Sequence, residues 1–147
     1  MEKILLSAHV LAGIVFIGGS AVAASLFPRY APVTTAPGAG DVRDAAAARA
    51  FHRITGSYAL LAVLVPVLGI ALATIQGRMS EIWIFAAMAL TFLAGALLAV
   101  VIHPLQREAL DSPDDGARLR RLSMLAGIYN LLWTVVVILM IVRPGAR

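Results

Sequence analysis

The chemistry open to this chain is that of histidine, carboxylate and methionine side chains, because its 147 residues include three histidines and no cysteine. Without cysteine there are no disulfides, iron–sulfur clusters or thiolate zinc sites. His9 stands inside the apolar stretch LLSAHVLAGIVF, whereas His52 and His103 stand at the ends of other apolar stretches. A neutral imidazole is a common axial ligand of haem iron, and a methionine thioether can be the second ligand. The histidines therefore point to haem b, provided that the fold brings suitable ligands to one level.

The elements that position these residues are predicted to be membrane helices. The chain is 61% hydrophobic and 14% charged, with a mean hydropathy of +0.90. A hydrocarbon core of roughly 30 Å needs about 20 apolar residues in a helix, and four segments meet that need: approximately 4–27, 57–76, 82–103 and 122–142. Period-2 alternation is absent, which argues against a membrane barrel. The sequence predicts one all-α domain over 1–147, a polytopic bundle of four transmembrane helices.

The first segment has a second interpretation as a signal peptide, because AVAA at 21–24 offers small residues for cleavage. Against this interpretation, Glu2 offsets the charge of Lys3, and His9 interrupts the apolar centre. We therefore expect the segment to be retained as a helix.

Orientation is predicted from the distribution of basic residues. Segments 28–55 and 104–121 carry the larger set: Arg29, Arg43, Arg49, Arg53, Arg107, Arg118, Arg120 and Arg121. The opposite side has only Lys3, Arg78, Arg143 and Arg147. The excess predicts a multi-pass protein of the cell membrane with both long loops in the cytoplasm and both termini outside. The net charge of +4 then reflects topology and contact with anionic lipid, and nucleic acid is not an expected partner.

Two further features concern helix shape and packing. The stretch DVRDAAAARAFHRITG, from Asp41, predicts a helical extension of the second span into the cytoplasm, and Pro66 predicts a kink within that span. Small residues predict close helix contacts inside the bundle, with subunit assembly as the alternative; they are Gly13, Gly18, Gly19, Ala23, Gly95 and Ala99.

Depth in the membrane leaves two alternatives for a haem site. At about 1.5 Å per residue, His9 lies roughly 7 to 8 Å below the outer boundary, and Met88 lies at a similar depth. At the inner level, His52 and His103 could hold the haem, with Arg53 or Arg107 meeting its propionates. The competing interpretations are interfacial polar residues for the inner pair and core packing for Met88.

A family resemblance adds to these expectations. With its early histidine, central small residues and Phe27-Pro28-Arg29 exit, AHVLAGIVFIGGSAVAASLFPRY resembles uncharacterised bacterial four-helix integral membrane proteins, grouped as a domain of unknown function, and that likeness covers most of the chain. The first helix is also distantly similar to membrane protoporphyrinogen oxidases and copper-resistance D-type membrane domains. In the oxidases the early histidine is associated with haem b, so the resemblance implies His9 as the leading ligand. This chain departs from them in its longer histidine-to-proline spacing, fewer aromatic residues and lack of a membrane-embedded lysine, and no enzymatic activity is carried over.

Two functional hypotheses follow. The first is a small haem-binding membrane protein concerned with electron transfer or with haem and porphyrin metabolism. The second is a non-catalytic accessory or assembly subunit, either in a homo-oligomer or in a larger membrane complex. A Soret band in the purified protein would distinguish them.

Overall fold

The computed structural model describes residues 1–34 and 43–145, in which four long apolar helices are packed together. Each is long and apolar enough to cross a membrane: Glu2–Tyr30, Ala45–Ile75, Ile82–Asp111 and Ala117–Val142. We number them as spans one to four. The described residues contain no strand. The all-helical architecture with four apolar helices is therefore confirmed.

Three of the spans are interrupted, and the helices within them have the following bounds. Span one comprises the α-helices Glu2–Ala12 and Gly18–Tyr30, joined by the π-helical segment Gly13–Ile17. Span two comprises the α-helices Ala45–Leu61 and Leu64–Ile75, and span four is the single helix Ala117–Val142. Span three comprises the α-helices Ile82–Ala96 and His103–Asp111, joined by the π-helical segment Leu97–Ile102. A π-helical turn changes the direction in which the following side chains point, and such turns are frequent at functional sites. Here one of them follows His9 and the other precedes His103.

The interruption of span two follows from Pro66. Proline has no backbone N–H, so the carbonyl of Ala62 loses its usual partner four residues on. The chain forms a turn at Ala62 and Val63, and the N–H of Val65 donates to the Ala62 carbonyl at 3.0 Å instead. The break lies where the sequence predicts a kink.

Span two also begins well before the predicted apolar segment. Asp44 caps it, because its carboxylate accepts hydrogen bonds from the N–H groups of Ala46 and Ala47 at 2.8 and 3.2 Å. The predicted helical extension is therefore present from Ala45 onward, while the expected start at Asp41 lies outside the described residues.

The core lies between spans one, three and four. Tyr129, Phe27 and Leu98 are fully buried there, and the Tyr129 hydroxyl lies 2.8 Å from Ser20 Oγ. This buried pair satisfies two polar groups that lipid could not.

Spans one and two approach closely at Gly19, where an added Cβ would lie 2.3 Å from Tyr58 Cε2. Ala23 is buried as well. By contrast, Gly13, Gly18 and Gly95 have open space where a side chain would project, and Ala99 is exposed. Among the six small residues predicted to pack, Gly19 therefore lies directly against a neighbouring side chain, and Ala23 is enclosed in the core.

Candidate functional site

A cleft of about 250 Å³ opens at the end of the bundle that carries both termini. We call this end the termini end and the opposite one the loop end. The cleft exists because the helices Leu64–Ile75 and Ile82–Ala96 make few contacts with each other. All four spans contribute to its lining, which is mainly apolar and includes the polar side chains of His9, Gln76, Trp83, Thr91 and Arg143.

His9 is buried in the wall of this cleft and is fixed by the backbone of span two. Its Nδ1 lies 3.0 Å from the carbonyl oxygen of Val65. A carbonyl can only accept, so Nδ1 carries the proton and donates it to this hydrogen bond. In the neutral ring, Nε2 then keeps a free lone pair. A hydrogen bond from one ring nitrogen to a backbone carbonyl is the usual way in which proteins orient a histidine that binds a metal through the other nitrogen.

Gly69 makes room for the His9 ring. A Cβ at Gly69 would lie 3.1 Å from His9 Cε1, so the ring would have to move by a few tenths of an ångström to accommodate it. Glycine thus lets the imidazole lie flat against span two, within reach of the Val65 carbonyl. Nothing in the sequence around Gly69 distinguishes it from a packing glycine, so its role next to His9 is not predictable from the sequence.

Met88 and Thr91 line the same cleft from span three. Met88 is half-buried, and its thioether belongs to a class of group that can ligate haem iron. The structure therefore brings together the two residues that the sequence places at one depth.

The rim of the cleft is polar and partly aromatic. The Arg143 guanidinium lies over the Trp83 ring, 5.9 Å from its centroid, and the Trp83 indole N–H donates to the Glu81 carboxylate. Across the opening, Gln76 donates to Glu2 at 2.7 Å and ties span two to span one. The sequence predicts only a topological role for Arg143, because an arginine directly after an apolar span is common at a membrane boundary.

His52 and His103 meet at the loop end. Their rings are stacked, with centroids 4.2 Å apart and planes 10° apart. His52 Nδ1 donates to Gln106 Oε1 at 3.2 Å, and Gln106 in turn donates to Thr55 Oγ1 at 3.4 Å. Gly56 accommodates the second ring, since a Cβ there would lie 2.6 Å from His103 Nε2.

This stacking bears on the inner haem hypothesis. An iron held by both histidines would lie between them together with the porphyrin plane, whereas the two ring faces are in contact. Haem binding here would require the two stacked rings to separate. Arg53 and Arg107, the predicted propionate partners, are exposed at this level.

Comparison with protein-family models, with curated proteins and with solved structures found no match. The function is therefore argued from the two histidine sites themselves.

Proposed function

We propose that this protein binds b-type haem in the cleft at the termini end, through His9, and serves electron transfer or haem and porphyrin metabolism. The observation that carries the proposal is the hydrogen bond from His9 Nδ1 to the Val65 carbonyl. It leaves Nε2 as the free nitrogen of a ring that is already held in place, in a cavity open enough to admit a ligand.

The donor chemistry of the cleft fits haem. His9 supplies a neutral imidazole, Met88 a thioether, and the apolar lining suits the faces of a porphyrin. The cleft volume of about 250 Å³ is slightly below the roughly 300 to 1,000 Å³ of common ligand pockets. A macrocycle would therefore need the opening between spans two and three as well as the enclosed space.

When bound, haem would supply a one-electron redox centre that the side chains of this chain lack. The contribution of the protein is to hold one axial nitrogen, to offer a second ligand and to limit access of water. Neutral ligands and an apolar lining favour the less charged state of a bound metal, which raises its reduction potential.

The two histidine sites can be separated by experiment. The chain is expressed with added haem, purified in detergent and examined for a Soret band. We expect His9→Ala to abolish or shift the band and His52→Ala, the matched control at the loop end, to leave it nearly unchanged.

The reverse pattern would assign the haem to His52 and His103 instead. Protein that stays colourless after haem supplementation, with His9→Ala folding normally, would contradict haem binding altogether. His9 would then be understood as an interhelical hydrogen-bonding residue.

The proposed location is the cell membrane, with both termini outside. The excess of arginine at the loop end supports this orientation. It would place His9 and its cleft near the outer surface, where a bound redox centre is accessible to partners outside the cell.

A shallow groove between spans one and four supports the second candidate function, an accessory subunit. Asn130 lies in this groove, and its amide donates to Ser25 Oγ at 3.0 Å. Its Oδ1 is buried yet accepts no hydrogen bond from the described residues. A helix that docks in this groove would lie beside the Asn130 side chain, and rotation of the amide would let Oδ1 accept a hydrogen bond from that helix. If Asn130→Leu lowers the oligomeric state or breaks co-purification of a membrane partner, while Asn130→Gln retains it, the accessory function is favoured.

A further inference from the structure

We infer that the cleft binds an amphipathic anion and that Arg143, whose guanidinium lies over the Trp83 ring, binds the carboxylate of this anion. This inference rests on the proposed ligand-binding function of the cleft and names the class of ligand. If the ligand is haem, Arg143 becomes the propionate partner, in place of Arg53 and Arg107.

Arg143 has more hydrogen-bond donors than it uses within the described residues. A guanidinium has five N–H donors, and Arg143 uses its Nε to donate to the Met140 carbonyl at 3.2 Å. Within the part of the chain that the structure describes, no carboxylate forms an ion pair with it. Its terminal N–H groups therefore remain for a ligand, and a planar guanidinium binds a carboxylate through two parallel hydrogen bonds.

The end of the fourth helix and the Trp83 ring set the position of the Arg143 guanidinium. The fourth helix ends at Val142, and Arg143 adopts a left-handed conformation with φ 48°. The backbone thus turns away from the helix axis at the residue that lines the cleft. Trp83, anchored by its bond to Glu81, supports the guanidinium from below through a cation–π contact.

His9 lies deeper in the bundle than the polar rim of the cleft. His9 and Gly69 each lie about two helical turns below the Glu2–Gln76 bond at the rim, which corresponds to roughly 10 Å. A ligand that reaches both ends needs a carboxylate at one end and an apolar body of about that length. Haem meets this description, because both propionates lie along one edge of the ring, and so does a fatty acid.

Arg78 provides a natural comparison. It is also a cation at the termini end, but its Nε lies 3.7 Å from the Glu81 carboxylate, and it does not line the cleft. A ligand attracted only by the general positive charge would lose the same affinity when either arginine is replaced. A ligand bound by Arg143 would lose affinity mainly when Arg143 is replaced.

The test measures haem binding to the full-length protein in detergent by Soret titration. We expect Arg143→Gln to weaken haem binding about tenfold, the effect of losing a charge-assisted hydrogen bond, and Arg78→Gln to change it less than twofold. Haem dimethyl ester, which lacks the carboxylates, should bind wild type and Arg143→Gln equally. Unchanged haem affinity in Arg143→Gln would overturn the inference while leaving haem binding through His9 intact.

A second probe keeps the inference testable if haem does not bind. A fluorescent fatty acid and its methyl ester are titrated into the same three proteins. Preference of the wild type for the free acid, lost in Arg143→Gln and kept in Arg78→Gln, would support the anion site and assign it to a lipid-like carboxylate. Absence of that preference would refute it.

Discussion

The contact between Gly19 and Tyr58 allows a sharp test of how spans one and two pack. In Gly19→Ala the new Cβ would lie 2.3 Å from Tyr58 Cε2 and 2.5 Å from Cδ2. The ring would have to withdraw by about 1 Å to regain ordinary van der Waals separation. Phe16 limits that movement, because its ring meets Tyr58 edge-on with centroids 5.8 Å apart. Forced repacking of this kind costs roughly 1 to 3 kcal/mol.

The adjacent Gly18 is the matched control, because a Cβ there meets nothing within 4 Å. Both substitutions gain the same helix propensity, about 1 kcal/mol for glycine to alanine, so the difference between them isolates the overpacking term. We expect Gly19→Ala to be less stable than Gly18→Ala by roughly 1 to 3 kcal/mol.

The measurement is the free energy of unfolding in mixed detergent micelles, followed by helical circular dichroism as the denaturing detergent is increased. Gly19→Leu should show a larger loss. Equal stability of the two alanine variants would mean that Tyr58 rotates freely away, and the tight contact between spans one and two would be refuted.

Two further predictions concern the ends of the bundle. Desolvation opposes ionisation of Asp114, but hydrogen bonds from the N–H groups of Gly116 and Arg118 and the charges of Arg118 and Arg120 outweigh it and lower its pKa. The ionised Asp114 should therefore contribute its full stabilisation above the ordinary carboxyl pKa and lose it as pH falls through the lower pKa of the folded state. In Asp114→Asn the free energy of unfolding should depend less on pH in the acid range than in the wild type. An equal pH dependence in the two proteins would contradict this prediction. Topology is tested by reporter fusions at Gly77 and Gly116: only the Gly116 fusion should show cytoplasmic activity, and cytoplasmic activity at Gly77 would reverse the orientation.

The number of helices was predictable because it depends on apolar length alone. The early start of span two at Ala45 was predictable as well, because an aspartate that can cap a helix precedes alanine-rich chain, whereas the interruptions of spans one and three were not. The π-helical segments Gly13–Ile17 and Leu97–Ile102 contain ordinary apolar residues, and no local signal marks them. Their position depends on how the neighbouring helices pack.

The depth of each candidate site residue was predictable from the sequence, but the direction in which its side chain points was not. The rise of a helix places His9 and Met88 at one level, and His52 with His103 at another. Whether two such residues share a cavity or stack directly depends on the rotation of each helix about its axis, which these short apolar patterns do not fix. For the same reason the sequence does not predict that Gly18 and Gly95 have open space next to them while Gly19 lies against Tyr58.

The two histidine sites differ in what holds their rings, and this difference favours His9 as a ligand. His52 is oriented by the side chain of Gln106, which itself depends on Thr55. His9 is oriented by a backbone carbonyl directly after the break in span two. The Val65 carbonyl is fixed by the helix that carries it, whereas the Gln106 side chain has rotatable torsions, so the His9 ring has the more rigid partner.

The position of Pro66 connects this local geometry with the cleft. By interrupting span two next to Val65, it sets the direction of the helix Leu64–Ile75, which carries both the carbonyl that holds His9 and the glycine against which the ring lies. The same helix forms the wall of the cleft opposite Met88. One break in one helix therefore shapes the wall of the cavity and holds the His9 ring, so that His9 would already be oriented for the proposed ligand.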